Sequence, residues 1–355
     1  MNNPFSMFSC DSPPTRWLFI LSLIFVVFAC PAAHAGSKCR TNGNIGASFG
    51  NIDSLTINTI GGSTSAAPGV NCNDPGDFSG GIGRNWLYVS VENPDGGSTL
   101  RPLRHTTTGE TIGLTAKIDG SAVVVGQRYD QSNYMYGGNA NNKNLALQLV
   151  IPPGATVSAG TYTTVVRTRW YWSLCSGTIL SAVCWSGWDR SNGLTMSGCV
   201  GNSCTASAYI NNYGTGEVAD ITLTLVVENS CNIVTLPQVA FGSAPLVSGF
   251  TSITPNMTIR CTKTAPYSIS LSNGNSGGSP REMWLAGDSS KKLKYELYKP
   301  GSSADRWGDA GTARFENLIG SGLNQDYSFR AEILPGQPTP PSGTYTDNIQ
   351  LTVTY

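Results

Sequence analysis

Charge is scarce in this chain. Of its 355 residues only 12% are charged, against about 25% in ordinary soluble domains, and 22 Lys+Arg are balanced by 22 Asp+Glu. No net positive field exists to release counterions from a phosphate backbone, which argues against nucleic acid as a partner. Histidine is scarcer still, with two residues, His34 and His105, and His34 falls in a leader segment. His105 alone supports little imidazole catalysis and no His-rich metal site. No long stretch with a helical period interrupts the 41 Gly and 20 Pro, which argues against a helical protein. The longest apolar run, Trp17 to Cys30, has 14 residues, short of the roughly 20 that span a bilayer. An all-β chain remains.

Arg16 precedes that run, and Pro31 and Ala33-His34-Ala35 follow it, an A-x-A cleavage signature. Residues 1–35 read as a signal peptide, with Val27-Phe-Ala-Cys30 a rival lipoprotein-type site weakened by the bulk of Phe28. Either reading exports the chain. Eight cysteines then remain: Cys39, Cys72, Cys175, Cys184, Cys199, Cys204, Cys231 and Cys261. An even number in an oxidising compartment favours disulfides. Without C-x-x-C pairs or an accompanying His, a zinc site is not expected, and neither is any cofactor.

The chain repeats itself. Cys39 is followed by Phe49-Gly50 and Cys72, as Cys231 is by Phe241-Gly242 and Cys261; later, Ile151-Pro-Pro-Gly154 leads to Gly160-Thr-Tyr-Thr163, as Ile333-Leu-Pro-Gly336 leads to Gly343-Thr-Tyr-Thr346. The repeat pairs Cys39 with Cys72 and Cys231 with Cys261, each bridge contributing about 3–4 kcal/mol for loops of this size. Between the landmarks, apolar residues alternate with period two, as half-buried strands require. Tyr267, Ile269 and Leu271 share a face, as do Leu293, Tyr295 and Leu297, then Tyr327, Phe329, Ala331 and Ile333, and finally Ile349, Leu351, Val353 and Tyr355. Short strands separated by Gly, Pro and Asn turns describe antiparallel sandwiches.

The order Cys, Phe-Gly, Cys, Pro-Gly and Gly-Thr-Tyr, ending in Ile349-Gln-Leu-Thr-Val-Thr-Tyr355, resembles the spore coat protein U domain family, which includes subunits of archaic chaperone–usher pili. The likeness extends over essentially all of 36–355 and is similar to the two-domain tip adhesins of that family. It implies two immunoglobulin-like pilin β-sandwich domains, an N-terminal tip domain at 36–229 and a C-terminal pilin domain at 230–355 that lacks its last strand. The implied partners are a periplasmic pilus chaperone, an outer-membrane usher and a next pilin subunit supplying a donor strand. The implied location is the cell surface, at the tip of a fimbrium, after passage through the periplasm. A structural spore-coat-type protein is the alternative within the same resemblance.

Strand counting supports one missing strand independently. After Gly160-Thr-Tyr-Thr163 the first half continues to a further run at 217–229, in which Ile221, Leu223, Leu225 and Val227 alternate with Thr222, Thr224 and Val226. After Gly343-Thr-Tyr-Thr346 the second half runs nine residues to Tyr355. Four buried aliphatic side chains are worth roughly 6–12 kcal/mol, comparable with the whole stability of a domain at about 5–15 kcal/mol. An outside strand added by β-augmentation would restore them, with Ile349, Leu351, Val353 and Tyr355 lining the donor-strand groove. At the other end Gly36-Ser-Lys precedes Cys39 directly, so the chain is expected to accept a strand and not to give one, which places it at the end of a head-to-tail polymer.

The run 217–229 leads straight into Ser230-Cys231, so the segment entering it, 173–216, lies at the opposite pole, roughly 40 Å away at 3.3 Å per residue. If strands alternate in direction, loops 73–85 and 120–144 share that pole. From Trp170 to Trp188 no residue is charged. Rigid apolar tips bind by burying themselves, which selects Tyr134, Met135, Tyr136, Leu174, Ile179, Leu180, Val183, Trp185 and Trp188 as surface-binding candidates for an abiotic or host surface. Cys175 and Cys184 are placed to brace one hairpin and Cys199 and Cys204 to clip a second turn, although the pairing among these four stays open. Aromatics also stack on sugars, so a glycan-binding tip is a competing reading. No catalytic constellation accompanies His105: nucleophile-elbow, P-loop and Rossmann patterns are all missing, and an enzyme is not expected.

Overall fold

Period-two alternation builds the closing strand of the first half. Along Glu217–Glu228, Ala219, Ile221, Leu223, Leu225 and Val227 are buried while Val218, Thr222 and Val226 face out. In the computed structural model, which describes residues 39–72, 85–132, 142–175, 178–179, 183–184, 188–201 and 203–355, this closing strand lies between two others. It runs antiparallel to the long strand Gly160–Cys175, with Gly160 opposite Val227 and Trp170 opposite Glu217. On its other side it runs parallel to the leading strand Ile45–Asp53. Trp86–Glu92 and then Arg128–Asp130 extend the sheet beyond the long strand. A second sheet, centred on Leu147–Ile151 between Gly62–Ala66 and Thr115–Ile118, covers the first, and Leu147, Leu149, Tyr162, Val166, Trp170 and Leu223 are fully buried between them. Residues 1–35, and with them the expected signal peptide, lie outside the described residues.

The second half assembles a smaller sandwich from three sheets. Their strand orders are Cys231–Thr235, Asn256–Cys261, Asn324–Ser328; then Phe315–Ile319, Pro266–Leu271, Leu351–Thr354; and Arg330–Ile333, Asp288–Tyr298, Arg281–Leu285, Tyr345–Thr346. Met257, Ile259, Ile269, Trp307 and Ala331 form its core. The single strand expected from Tyr327 to Ile333 is two: the ladder with Asn256–Cys261 ends at Ser328, and from Arg330 the chain pairs with Asp288–Tyr298. Alternation continues through the crossing because both sheets face one core. Beneath them Arg281, fully buried, donates to Glu296 and to the Trp307 carbonyl oxygen at 2.6 Å, while Arg306 holds the other Glu296 oxygen at 2.7 Å. A buried charge is tolerable only when so paired.

Ser37–Tyr355 forms one compact unit, and the two sandwiches meet through a short helix, Ser54–Thr59. Asp53 caps it, accepting from the Leu55 and Thr56 amides at 3.1 and 3.0 Å, as an N-cap carboxylate should. Gly61, with φ of 82°, ends the turn where a Cβ would stand 2.1 Å from the Ile151 carbonyl oxygen. From this helix the Ser54 hydroxyl meets that of Thr262 at 2.6 Å, and Asn58 accepts from Arg260 at 2.7 Å. Alongside, Lys263 reaches Glu110 at 2.5 Å. Burial alone would raise the Glu110 carboxyl, but Lys263, the Ser158 amide and the Tyr162 hydroxyl together hold its pKa down to about 2. Disulfides join Cys39 to Cys72, Cys199 to Cys204 and Cys231 to Cys261.

Candidate functional site: an open groove and a distal pole

The two halves share their strand register as well as their landmarks. Tyr345 pairs with Leu285 as Tyr162 pairs with His105, Leu351 with Leu271 as Thr168 with Val91, and Val353 with Ile269 as Trp170 with Val89. Residues 345–353 are therefore the counterpart of 162–170. The counterparts differ at one edge. The long strand is paired on both sides, by Trp86–Glu92 and by the closing strand. Among the described residues, Tyr345–Thr346 and Leu351–Thr354 are paired on one side only. Accordingly Tyr162, Thr164, Val166, Thr168 and Trp170 are all buried, whereas Tyr345, Asp347, Ile349, Leu351 and Val353 are all half-exposed.

A cavity of about 690 Å³ occupies the vacant position. One wall is Gly343–Ile349 with Leu351, the other is Leu236–Ser243, and Met257, Leu293 and Trp307 form part of its floor. Of the four groove residues expected from sequence, Ile349 and Leu351 line it. Val353 points inward against the core without reaching the cavity wall. Tyr355 lies past the last ladder pair, 57% exposed, and takes no part in the wall. The wall at Leu236–Ser243 was not legible as a site, because a segment containing Pro237 and Gly242 has no strand alternation. Its repeat relationship to Ile45–Asp53 was the signal that could have found it. Asp347 is an unexpected polar group on an apolar wall; it accepts from the Tyr295 hydroxyl at 2.6 Å and the Asn275 amide at 2.7 Å.

At the opposite pole the long strand runs past its pairing with the closing strand to Cys175, where Trp188 is its partner across the ladder. Leu174, expected at the surface, is fully buried. It continues the inward set of Tyr162, Val166, Trp170 and Trp172, and the uninterrupted apolar run hid that alternation. Trp188 is half-buried and tilted against Trp86, with ring centroids 5.8 Å apart and the Arg190 guanidinium 5.8 Å from its ring. Ile179 and Val183 pair across a two-stranded hairpin. Their side chains, those of Cys175 and Cys184, and residues Tyr134, Met135, Tyr136, Leu180 and Trp185 lie outside what the structure describes, as does loop 73–84. Of Val123-Val-Val125, the outer two pack on the first core and Val124 faces out.

The strands Thr195–Val200 and Ser203–Asn212 add a ribbon to that hairpin, clipped by the Cys199–Cys204 bridge. Val200 at its tip is 87% exposed, and Tyr209 is exposed on its side. Sequence reading recognised the clip but not these two residues; an apolar residue among the four between Cys199 and Cys204 was the available signal. Nearby, Arg128 lies 4.2 Å from the Tyr213 ring centroid and 5.1 Å from that of Tyr171. Burial and then Asp130 push the neighbouring Tyr88 hydroxyl up to about 12. His105 is committed locally: Nδ1 accepts from the Thr107 and Thr108 amides, and the other ring nitrogen, Nε2, donates to the Ala159 carbonyl at 3.1 Å. Among the described residues no group of three or more His, Cys, Asp and Glu could hold a metal, and no helix is long and apolar enough to cross a membrane.

The Spore Coat Protein U domain family model matches residues 217–352. Over this stretch the chain is similar to Spore Coat Protein U domains. The stretch takes in the closing strand of the first sandwich together with the whole open groove. No curated protein sequence matches the chain. Among solved structures, a chain of the CsuC–CsuE chaperone–tip adhesion subunit pre-assembly complex, from the archaic chaperone–usher Csu pili of Acinetobacter baumannii, matches with a TM-score of 0.53 at 23% identity, covering 89% of this chain and 100% of that one. The CupB6 tip adhesin from Pseudomonas aeruginosa matches with a TM-score of 0.30 at 12% identity, covering 89% of this chain and 94% of that one. The first of these likenesses shows a fold shared across both sandwiches.

Proposed function

We propose that this chain is the tip adhesin subunit of an archaic chaperone–usher fimbrium. Its first sandwich contacts surfaces through the distal pole, and its Spore Coat Protein U domain joins the fibre by accepting a donor strand. The observation that carries this reading is the vacancy itself: the position that Glu217–Glu228 fills in the first sandwich is an apolar cavity in the second. An extended segment with apolar residues at alternate positions fits it, by the mode in which a strand is added to an exposed sheet edge. The chaperone–tip subunit pre-assembly complex that shares the fold supports a periplasmic chaperone as the first occupant and a next pilin subunit as the second. An outer-membrane usher and a cell-surface location follow from the same reading.

Surface contact is assigned to the hairpin carrying Ile179, Leu180 and Val183, with Val200 on the adjoining ribbon, 87% exposed, as a further apolar point. Tips braced by ladders and bridges lose little conformational entropy when they are buried. The test is adhesion of cells displaying the full chain with Ile179, Leu180 and Val183 all replaced by Ser. Adhesion to plastic should be abolished with secretion unchanged, and undiminished adhesion would refute the assignment. The glycan reading is supported by the Arg128 guanidinium, which lies over the Tyr213 and Tyr171 rings. It predicts the reverse outcome in that assay, with binding on a glycan array in its place.

A further inference from the structure

We propose that the bulge at Phe241-Gly242 is a preformed register key, which fixes the residue of an incoming strand that lies against Tyr345; the inference rests on the groove reading above. In the first sandwich the leading and closing strands slip register once. Thr224 pairs with Ser48, but Val226 pairs with Asn51. Phe49 and Gly50 therefore stand together opposite Leu225 alone, one extra residue on one strand, which is a β-bulge. Gly50 takes the turn with φ of 76°, in the left-handed region that glycine enters without steric cost.

The second sandwich holds the same turn, and among the described residues no strand lies beside it. Gly242 has φ of 78°, within the counterpart sequence Ala240-Phe241-Gly242-Ser243. Phe241 anchors it, its ring edge-on to Tyr295 at 5.9 Å and part of the cavity wall. Among the described residues, the main-chain groups of 236–245 make no backbone hydrogen bonds, so they are available to a parallel partner. The bulge is built before anything docks.

Across the groove from it stands Tyr345. Its counterpart Tyr162 pairs with Leu225, the residue that faces the bulge in the first sandwich. Bulge and tyrosine together define one place for one inward aliphatic side chain. A slip of one residue turns the whole apolar set outward. A slip of two preserves the alternation and is excluded only because it sets a regular pair against the bulge. The partner is thus an extended segment of another subunit, antiparallel to 345–353 and parallel to 237–243, read in a single register.

The test uses the full exported chain carrying Asn348→Cys and three peptides with the sequence of residues 217–228, each with one Cys, at position 220, 222 or 224. Asn348 is exposed and is the counterpart of Val165, which pairs with Thr222. The position-222 peptide should form the mixed disulfide about tenfold more efficiently than the others, whose cysteines lie about 8 Å away and beyond disulfide reach. Deleting Gly242 should abolish that preference. Equal trapping at 220 or 224, or a preference that survives the deletion, overturns the key while leaving the groove intact. No complex with any peptide overturns the groove reading and the key together.

Discussion

Adding the missing strand should stabilise one sandwich and not the other. The perturbation is a 12-residue peptide with the sequence of residues 217–228, mixed with the full exported chain. In its own sandwich that strand places Ile221, Leu223, Leu225 and Val227 in the core at 2% exposure or less, and the groove presents the counterpart wall with the same register on its paired edge. The gross apolar burial of roughly 6–12 kcal/mol is opposed by the entropy of ordering a free peptide, so the stabilisation is set by mass action. At a concentration of 100 Kd it is about 2.7 kcal/mol. For a unit the size of 231–355, between the ranges where 1 kcal/mol shifts Tm by about 4–8 °C and by about 2–4 °C, that corresponds to a rise of roughly 8–16 °C. Differential scanning calorimetry should show two transitions. The lower, from the open sandwich, should move with peptide, and the upper should stay. A peptide with inward and outward residues exchanged should move neither. A single transition indifferent to the peptide, or a shift confined to the upper one, would refute the reasoning.

Two further outcomes follow from the charged groups. The Glu110 carboxyl sits at about 2 in the folded chain against an ordinary 4.5, a depressed value, so its contribution is complete above the unfolded pKa and is lost as pH falls from about 4.5 towards 2. Denaturant titrations over that window should show Glu110→Gln losing about 1–2 kcal/mol less than the parent on acidification, a figure discounted for solvent screening; parallel curves would disprove the role. Arg281→Ala leaves Glu296 buried beside Arg306 alone and should lower the stability of the second sandwich by about 3–5 kcal/mol, with the upper calorimetric transition unmoved. An unchanged lower transition would show that the network contributes nothing.

The strands were legible wherever apolar residues alternate between turn signals, as at Pro266–Leu271 and Glu217–Glu228. The vacancy was legible because the chain carries its own filled copy for comparison. Three features were hidden for different physical reasons. Leu174 belongs to the inward set of a strand whose outward neighbours, Tyr171 at 4% and Ser173 at 0% exposure, are themselves covered, so two-sided burial erased the alternation. Phe329 marks a crossing between sheets that face one core, which periodicity cannot register. The helix at Ser54–Thr59 is too short for a periodic stripe; it follows a capping Asp and is held by contacts with Arg260 and Thr262, more than 200 residues on. The second groove wall shares that last difficulty, since Leu236–Ser243 is recognisable only through its likeness to Ile45–Asp53.

That the family match begins at Glu217 has a structural meaning. The matched stretch is one sandwich preceded by a strand, and here the strand closes the sandwich before it. Glu228 and Cys231 are separated by two residues, so the end of the closing strand and the start of the next sandwich are held almost together. The polar contacts of Ser54, Asn58 and Glu110 with Thr262, Arg260 and Lys263 then surround the joint. The chain thereby contains, in covalent form, the joint that the proposed assembly makes between separate subunits: a strand seated in one sandwich and leading directly into the next. Within one chain the tether supplies the effective concentration that seats the strand. Between chains nothing supplies it, and the groove must recognise its occupant through the apolar burial and edge pairing that the first sandwich already displays.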